Sequence, residues 1–252
     1  MGIRHWFGEL ARWSLPSEAA QQLDEVGFVV IPSVFAPDVC ARLSEAHDKA
    51  ILTANPEDVS SRSSTRVNDF VNRGPEFDEI YIYPPLLAAC CLVIGRPFKL
   101  STMHARTLEP GTPAQSLHVD VKRGADGWPL CGFIFMVDEF NSENGATRFV
   151  PGSHRLSSAR GNPMDDEPLS SERDVFALGS AGSMIIFTGS VFHGHSANNS
   201  PKRRRSIQGA FIPRDARAAI NQIEHIRPET LERIGGLARW VLNVEFADRF
   251  ND

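Results

Sequence analysis

The sequence lacks the features that mark secreted and membrane-spanning proteins. It has four cysteines among 252 residues, none in a CxxC pair, and Cys90 and Cys91 lie in an apolar run where thiols usually serve as small hydrophobic side chains. No apolar run reaches the roughly 18 residues of a membrane span. The first residues also lack the basic, apolar and small-residue succession of a signal peptide. We therefore expect a cytoplasmic protein without a membrane partner.

An excess of charge of one sign is also missing. The chain has 26 Lys and Arg against 31 Asp and Glu, a formal net charge of -5, so nothing favours nucleic acid as a partner. No internal repeat or low-complexity linker divides it, and its hydrophobic fraction of 42% is that of an ordinary globular protein. We expect one domain over residues 1–252. No pattern indicates an oligomeric state.

The first part of the chain, residues 1–96, is predicted to be mainly helical. Trp6, Leu10 and Trp13 recur at helical spacing, and Ser17 is placed to cap a second helix that ends at Gly27. The segment FVVIP after Gly27 predicts a buried strand. The remaining predicted segments here are helices at residues 36–52 and 85–94, separated by a long unperiodic loop at residues 54–78.

Strand patterns dominate from Pro97 onward and predict a β core over about residues 97–213. The predicted strands are residues 98–108, 116–121, 131–137, 147–151, 174–178, 183–187, 191–196 and 205–212. Short strands separated by Gly, Pro and Asn turns favour an all-β barrel or sandwich over alternating βαβ units. Residues 157–174 form a polar insert, which is expected with the loop at 55–78 to frame the mouth of the barrel. Apolar spacing predicts a closing helix over about residues 228–244.

The first pattern that indicates chemistry is His118 and Asp120, two residues apart in SLHVDV. In a β-strand this spacing directs both side chains to one face. An imidazole and a carboxylate directed together supply two thirds of the facial triad that holds non-haem Fe(II), which needs one more histidine. Alone the triplet is a weak signal, because a solvated His/Asp pair at a strand end has the same spacing.

A second histidine is available in HGHSANN, where His193 and His195 are both candidates that share a strand face. Arg204 follows His193 by eleven residues, and Ser206 lies on the same predicted face as Arg204. A guanidinium is a planar fork that matches a carboxylate. The opposite face carries Arg205, expected in solvent near the strand end. Ile207 and Phe211 follow on that face and are expected to pack outward beneath the helices.

With these motifs together, the chain resembles the phytanoyl-CoA dioxygenase family of Fe(II) and 2-oxoglutarate dependent oxygenases. The resemblance runs from GFVVIP through LHVD, NGATRFVPGSH and HGHSANN to RRRSIQ. It implies a mainly β fold with flanking helices, a double-stranded β-helix, or cupin-like jelly roll. It also implies that iron is bound by His118, Asp120 and His193. His193 is preferred over His195 because it opens the family's HGxxxN segment.

The resemblance implies further contacts to 2-oxoglutarate, the cosubstrate. Arg204 matches the arginine that pairs with its distal carboxylate, with Ser206 beside it, and Phe133 falls where an aromatic residue lines the pocket. His104 and Thr147 are further expected contacts. The NG…PGSH signature, which is read as a turn that shapes the site, comprises Asn144, Gly145, Pro151, Gly152 and His154.

The implied function is oxidation of a small-molecule metabolite with Fe(II), 2-oxoglutarate and O2, releasing succinate and CO2. Hydroxylation, or a related desaturation or cyclisation, is favoured over halogenation, because Asp120 fills the place where related halogenases carry a small residue. The alternative is a non-oxidative metal-binding barrel, such as a cupin-like isomerase or a binding protein. Arg204 and Ser206 discriminate, since a barrel that binds no dicarboxylate does not need them. The sequence predicts no particular substrate.

Overall fold

A computed structural model describes residues 3–61, 64–121, 129–155 and 172–245. Within these ranges eight α-helices form, most of them before the first long strand. The helices are α1 (Ile3–Leu10), α2 (Ser17–Val26), α3 (Pro37–Leu52), α4 (Asp78–Tyr81), α5 (Pro84–Ile94), α6 (Gln222–His225), α7 (Pro228–Arg233) and α8 (Gly236–Leu242). Short 3₁₀ turns at 56–58, 70–72, 75–77 and 153–155 join some of the elements.

Ten β-strands make two antiparallel sheets in the described ranges. The strands are β1 (Phe28–Ile31), β2 (Val59–Ser61), β3 (Thr65–Val67), β4 (Phe98–Leu108), β5 (Cys131–Met136), β6 (Thr147–Phe149), β7 (Val175–Phe176), β8 (Met184–Thr188), β9 (His193–His195) and β10 (Arg204–Pro213). The main sheet has the order β1-β8-β5-β10-β4-β3-β2, and the second sheet has the order β7-β6-β9. These sheets and their flanking helices form the cupin-like jelly roll that the resemblance implied.

Side chains of the central strands alternate between two apolar clusters, as a pleated sheet covered on both faces requires. Ile134 and Phe187 lie in the cluster between the sheets, where Phe149 of β6 stacks on Phe28 of β1 at a ring separation of 4.2 Å. Phe135 lies in the other cluster, on the helical side. Each fully buried side chain of this size contributes about 1.5–3 kcal/mol to folding, so the β core is stabilised from both faces.

The helical side of the main sheet is covered by helices from both ends of the chain. Leu87 of α5 and Trp240 of α8 are fully buried in this cluster, and Trp240 packs edge-on against Phe98 at 5.2 Å. Ile207 and Phe211 of β10 lie in the same cluster with no exposed surface. The packing of these two residues beneath the helices is therefore as expected.

Several predicted boundaries differ from those of the structure. Residues 54–78 are not a plain loop, because β2 and β3 form a hairpin that pairs with β4 at the edge of the main sheet. The β core is therefore not confined to residues 97–213, since β1 also joins the main sheet. Ser17 is the first residue of α2 rather than its cap; Pro16 holds that position without a side-chain hydrogen bond.

The closing helix is also interrupted, at Ile234 and Gly235, both of which are extended. Adjacent glycines at 235 and 236 have little helix propensity, so the chain divides into α7 and α8. The predicted strand at 116–121 forms only an isolated bridge at His118. Residues 157–171 of the polar insert predicted at 157–174 lie outside the described residues. Among the described helices none alone is long and apolar enough to cross a membrane, although the bent pair at 75–81 and 84–94 passes that test jointly.

Candidate active site

His118, Asp120 and His193 converge at one end of the barrel. Their candidate ligand atoms all lie within 4.8 Å of one another. Nε2 of His118 lies 3.9 Å from Oδ1 of Asp120, and Nε2 of His193 lies 3.8 Å from Oδ2 of the same carboxylate. In the described part of the chain this is the one group of three or more His, Cys, Asp or Glu side chains that could hold a metal ion.

Backbone contacts bring these three residues together without a regular strand. The amide and carbonyl groups of His118 exchange two hydrogen bonds of 2.9 Å with those of His193, and the amide of Asp120 donates to the carbonyl of Gly189 at 2.8 Å. Gly194 permits β9 to approach the backbone of Ser116 closely, since a Cβ at this position would lie 3.0 Å from the carbonyl oxygen of Ser116. Convergence therefore comes from pairing with β9 and the turn before it, rather than from strand alternation.

The ring orientation of both histidines suits metal binding. Nδ1 of His118 lies 3.2 Å from the carbonyl oxygen of Ser116, and Nδ1 of His193 lies 3.0 Å from that of Val191. A carbonyl only accepts, so each Nδ1 carries the proton and Nε2 keeps its lone pair for a metal. Burial, and next the neighbouring His193, lower the pKa of His118, which favours the neutral form that a metal requires.

A cavity of about 290 Å³ opens beside this triad. His104 and Thr147, which were expected to contact the cosubstrate, both line it, and so does Phe133. Other apolar wall residues are Leu130, Ile134 and Phe187. A second cavity of about 510 Å³ shares Thr102 and Ala219 with the first. Its wall includes Asn55, Glu57, Asp58, Asn68 and Asp69, so the expectation that the segment after residue 55 frames the mouth agrees with this geometry.

Arg204 and Ser206, which were also expected to contact the cosubstrate, are not among the residues that line this cavity. Arg204 is fully buried; Nη2 donates to the carbonyl of Gly145 at 2.8 Å and Nη1 to Oγ of Ser206 at 3.1 Å. No carboxylate of the described residues lies within ion-pair distance of this guanidinium, and its Nε has no partner. Burial, and next the charge of Arg106, lower the pKa of Arg204 to about 9. Gln208 and Ala210, which share its strand face, reach the cavity itself.

The expectation that Arg205 lies in solvent is wrong. Its side chain is only 13% exposed, and it forms ion pairs of 2.7 Å with Asp138 and 2.9 Å with Asp48. Hydrogen bonding to Asp138 is the main reason that the pKa of Arg205 is raised. Arg205 lies at a strand end but is not exposed, because α3 and the segment after β5 place carboxylates beside its guanidinium.

His195 lies close to the triad but outside the group that could hold a metal. Its Nδ1 is 2.9 Å from the carbonyl oxygen of Ser196, whereas Nε2 is buried without a partner in the described structure. Burial lowers the pKa of His195 to about 3. The ring lines the cavity and is opposite Thr147 in the register of β6 and β9. The geometry thus separates two histidines that strand periodicity could not.

The NG…PGSH signature links the site to the rest of the fold. Gly145 has φ +83°, a conformation that favours glycine, and presents its carbonyl to Arg204. Oγ of Ser153 accepts from the amide of Phe192, next to His193. Nε2 of His154 lies 2.9 Å from the carbonyl of Asp24 at the end of α2. These contacts join the signature to β10, to the residue before β9 and to α2, as a turn that shapes the site would.

Arg66, Arg106 and Gln115 also line the cavity; the sequence placed Arg66 in the loop expected at the mouth but indicated a binding role for none of the three. A usable signal existed for Arg106, since Thr102, His104 and Arg106 recur every second residue of β4, opposite the buried Met103 and Ala105. Arg66 carried no such signal, because its predicted loop gave it no face. His104 has a buried Nε2 without a partner in the described structure, and burial lowers its pKa to about 3.

Comparison with known proteins identifies the relatives of this chain. The model of the family described as phytanoyl-CoA dioxygenase matches residues 23–206, a range that contains the whole triad and Arg204. The dioxygenase trt7 of Aspergillus terreus is 29% identical over 216 residues, which cover 79% of this chain and 73% of that protein. The multifunctional dioxygenase prhA of Penicillium brasilianum is 31% identical over 214 residues, covering 77% and 71% respectively.

Solved structures share the fold at lower identity. The 2-oxoglutarate-dependent carbocyclase SnoK from nogalamycin biosynthesis superposes with a TM-score of 0.66 at 20% identity, covering 88% of this chain and 92% of its own. HygX of Streptomyces hygroscopicus, solved with nickel, 2-oxoglutarate and hygromycin B, superposes with a TM-score of 0.66 at 16% identity. The match covers 81% of this chain and 90% of HygX. These likenesses establish a shared architecture.

Proposed function

The chain belongs to the phytanoyl-CoA dioxygenase family, and from this premise we propose that it oxidises a small secondary metabolite with Fe(II), 2-oxoglutarate and O2. It is an oxidative enzyme, like the fungal dioxygenases that it matches. The non-oxidative alternative has no support among these relatives. The observation that carries the proposal is the convergence of His118, Asp120 and His193 beside a buried guanidinium that has no carboxylate partner in the described structure.

The donor set fits Fe(II). Two imidazole Nε2 atoms and one carboxylate form the 2-His-1-carboxylate triad of non-haem iron oxygenases, which leaves coordination positions open. When bound, the iron and 2-oxoglutarate would activate O2 for C–H oxidation, with loss of succinate and CO2. The carbonyl oxygens of Ser116 and Val191 accept hydrogen bonds from Nδ1 of the two rings and so would keep each Nε2 directed at the metal.

Arg204 suits the distal carboxylate of 2-oxoglutarate. An unpaired buried charge is costly, and a carboxylate that completes its hydrogen bonding offsets that cost. Ser206 already binds one nitrogen of the guanidinium and orients it. Phe133, Thr147 and His104 are proposed to line the remainder of the cosubstrate site, which agrees with their place in the cavity wall.

The substrate is proposed to enter through the second cavity and to place its reacting C–H bond near the triad. Leu130, Ile134 and Phe187 make part of the inner wall apolar, which excludes water and accommodates a carbon skeleton. Relatives by fold bind large natural products, hygromycin B for HygX and nogalamycin RO for the epimerase SnoN. A metabolite of that general kind is the proposed partner, and a cytoplasmic location is proposed with it, since all four cysteines are free.

The test is succinate release. Purified protein with Fe(II), ascorbate, O2 and 2-oxoglutarate is incubated with a set of secondary metabolites, and succinate and oxidised product are quantified together. We expect one metabolite class to raise succinate formation in proportion to product, and Asp120→Ala to abolish both. Succinate formation that Asp120→Ala leaves unchanged would contradict the proposed site, and conversion of a metabolite without 2-oxoglutarate would contradict the proposed reaction.

A further inference from the structure

Arg204 lies over the face of a phenylalanine that belongs to neither the triad nor the cavity wall. The guanidinium carbon of Arg204 is 4.2 Å from the ring centroid of Phe140, and the two residues are 0% and 1% exposed. A cation over the face of an aromatic ring is attracted by the ring quadrupole, and the attraction is largest when both groups are desolvated. Phe140 therefore makes an electrostatic contact in addition to its packing in the cluster between the sheets.

A ring under the face of the guanidinium leaves its edge free. A guanidinium has five N–H donors, and all of them lie in its plane. In the described structure Gly145 and Ser206 accept from two of these donors, and five minus two leaves three for a ligand. A carboxylate of the protein at that edge would occupy the same donors and neutralise the charge, whereas the ring stabilises the cation without doing either.

A carboxylate stands two residues before Phe140, but it binds the neighbouring arginine instead. Oδ1 of Asp138 accepts from Nη2 of Arg205 at 2.7 Å, and Oδ2 accepts from the backbone amide and Nε of the same residue at 2.8 and 3.0 Å. One short segment thus presents its carboxylate to Arg205 and its aromatic ring to Arg204. The difference keeps the charge of Arg204 available to a ligand, while that of Arg205 is used within the protein.

The segment that carries Phe140 is fixed on both sides of the ring. The backbone groups of Phe140 and Gly179 exchange two hydrogen bonds, of 2.8 and 3.1 Å. The side chain of Asn144 donates to the carbonyl of the residue before Phe140 at 2.7 Å and accepts from the amide of the residue after it at 2.9 Å. Gly145, whose carbonyl binds Arg204, follows directly. The ring and this carbonyl are therefore held together against the guanidinium.

We propose that Phe140 is a positioning residue, whose ring holds the guanidinium of Arg204 charged and in one plane for the distal carboxylate of 2-oxoglutarate. The inference rests on the proposed function, in which Arg204 binds that carboxylate. Phe140 itself does not contact the cosubstrate. Its effect comes from preorganisation, because a guanidinium that is already oriented loses less conformational freedom when the carboxylate binds.

Two 2-oxo acids test the proposal. 2-Oxobutanoate chelates a metal through the same 2-oxo acid group as 2-oxoglutarate but lacks the distal carboxylate, so its binding should not depend on Arg204. Anaerobic protein with Fe(II) is titrated with each acid, and the visible metal-to-ligand absorption of the bound 2-oxo acid gives the two dissociation constants. We expect Phe140→Leu to weaken 2-oxoglutarate binding at least about fivefold and to leave 2-oxobutanoate binding within about twofold of wild type.

Replacement of Phe140 by pentafluorophenylalanine separates the charge interaction from packing. That side chain nearly keeps the shape of the ring but reverses the polarity of its face, so it should also weaken 2-oxoglutarate binding and spare 2-oxobutanoate. Phe77→Leu, a change at an equally buried phenylalanine on the helical side, should alter neither constant. The fluorinated protein gives an answer even where Phe140→Leu fails to fold.

Three outcomes would overturn the inference. These are unchanged 2-oxoglutarate binding in Phe140→Leu, an equal loss for both acids, or full 2-oxoglutarate affinity in the fluorinated protein, which would mean that the ring acts by packing alone.

Failure of this inference and failure of the proposed function are distinguishable. If the absorption does not form when wild-type protein meets 2-oxoglutarate, the proposed function fails. If it forms but Arg204→Ala binds both acids as wild type does, the proposed role of Arg204 fails. If Arg204→Ala weakens 2-oxoglutarate binding alone and Phe140→Leu does not, only the role of Phe140 fails.

Discussion

The two histidines of β9 differ in what surrounds their Nε2 atoms. That of His193 lies 3.8 Å from Asp120, whereas that of His195 is buried without a partner in the described structure. We therefore predict that His193→Ala loses bound iron and turnover, while His195→Ala retains iron with at most altered 2-oxoglutarate affinity. Metal content of the two purified variants measures this. An iron-loaded His193→Ala beside an iron-free His195→Ala would reverse the assignment.

Arg204 and Arg205 are neighbours with different surroundings, which predicts opposite effects of their removal. Arg204→Ala should raise the apparent KM for 2-oxoglutarate at least about tenfold, or about 1.4 kcal/mol of lost binding. Arg205→Ala should leave that KM almost unchanged but remove the ion pair of Asp138 and one of the two ion pairs of Asp48, which keeps its contact with Arg203. The loss of a half-buried partner costs about 1–3 kcal/mol. Initial rates and thermal unfolding of both variants decide, and the reverse ranking would refute the register of β10.

At the scale of single residues, the sequence predicted what a short motif carries. The spacing of His118 and Asp120 and the offset from His193 to Arg204 are local patterns, and the structure brings the first three residues together. The environment of Arg205 was not predictable, because Asp48 is 157 positions earlier in the chain and meets it only through tertiary packing. The facing of Arg66 and Arg106 likewise depends on strand register, which no local pattern encodes.

Helix α3 contains a buried histidine that makes its packing sensitive to acid. His47 has no exposed surface and packs near Phe70. Its Nδ1 lies 3.6 Å from Asp48, too far for an ordinary hydrogen bond. Burial, and next the charge of Arg205, lower the pKa of His47 from 6.5 to about 4. Between these two pKa values, His47 is therefore protonated in the unfolded chain and neutral in the folded chain.

We predict a loss of stability as the pH falls from about 6.5 towards about 4, amounting to at most roughly 3 kcal/mol from this residue. A lowered folded pKa means that the stabilisation is complete above the unfolded pKa and is lost below it. Replacing His47 by leucine, of similar volume, should make the free energy of unfolding less dependent on pH in this range. His225→Gln, a change at an exposed histidine, should not. Urea unfolding across this pH range measures it, and an unchanged slope in His47→Leu would contradict the prediction.

At the scale of elements, long apolar runs were predictable and polar edges were not. The strands at 98–108, 131–136, 184–188 and 204–213 follow from apolar and β-branched runs. β2 and β3 contain Ser, Thr and Arg and lie at the sheet edge, so no apolar alternation indicated them. SLHVDV alternates as a strand does, but pairing with β9 reaches only His118 before Asp120 turns to the carbonyl of Gly189.

At the scale of the whole molecule, the site is assembled from separate parts of the fold. His193 lies on the second sheet, Arg204 on the main sheet, and His118 and Asp120 on the connection between β4 and β5. An unfolded chain does not hold these groups together, so metal and cosubstrate should bind the folded state alone. Ligands of that kind raise stability by mass action.

We therefore predict that Ni(II) raises the thermal midpoint and that 2-oxoglutarate raises it further only when the metal is present. At a hundredfold excess over its Kd, one ligand adds about 2.7 kcal/mol, which for a chain of this size corresponds to roughly 5–10 °C. Asp120→Ala should lose both increases of the thermal midpoint. It lacks a metal ligand, and the cosubstrate would bind by chelating the metal. Arg204→Ala should keep the metal increment and lose most of the second. Differential scanning fluorimetry of wild type and the two variants measures this. An undiminished second increment in Arg204→Ala would show that the distal carboxylate of 2-oxoglutarate binds elsewhere.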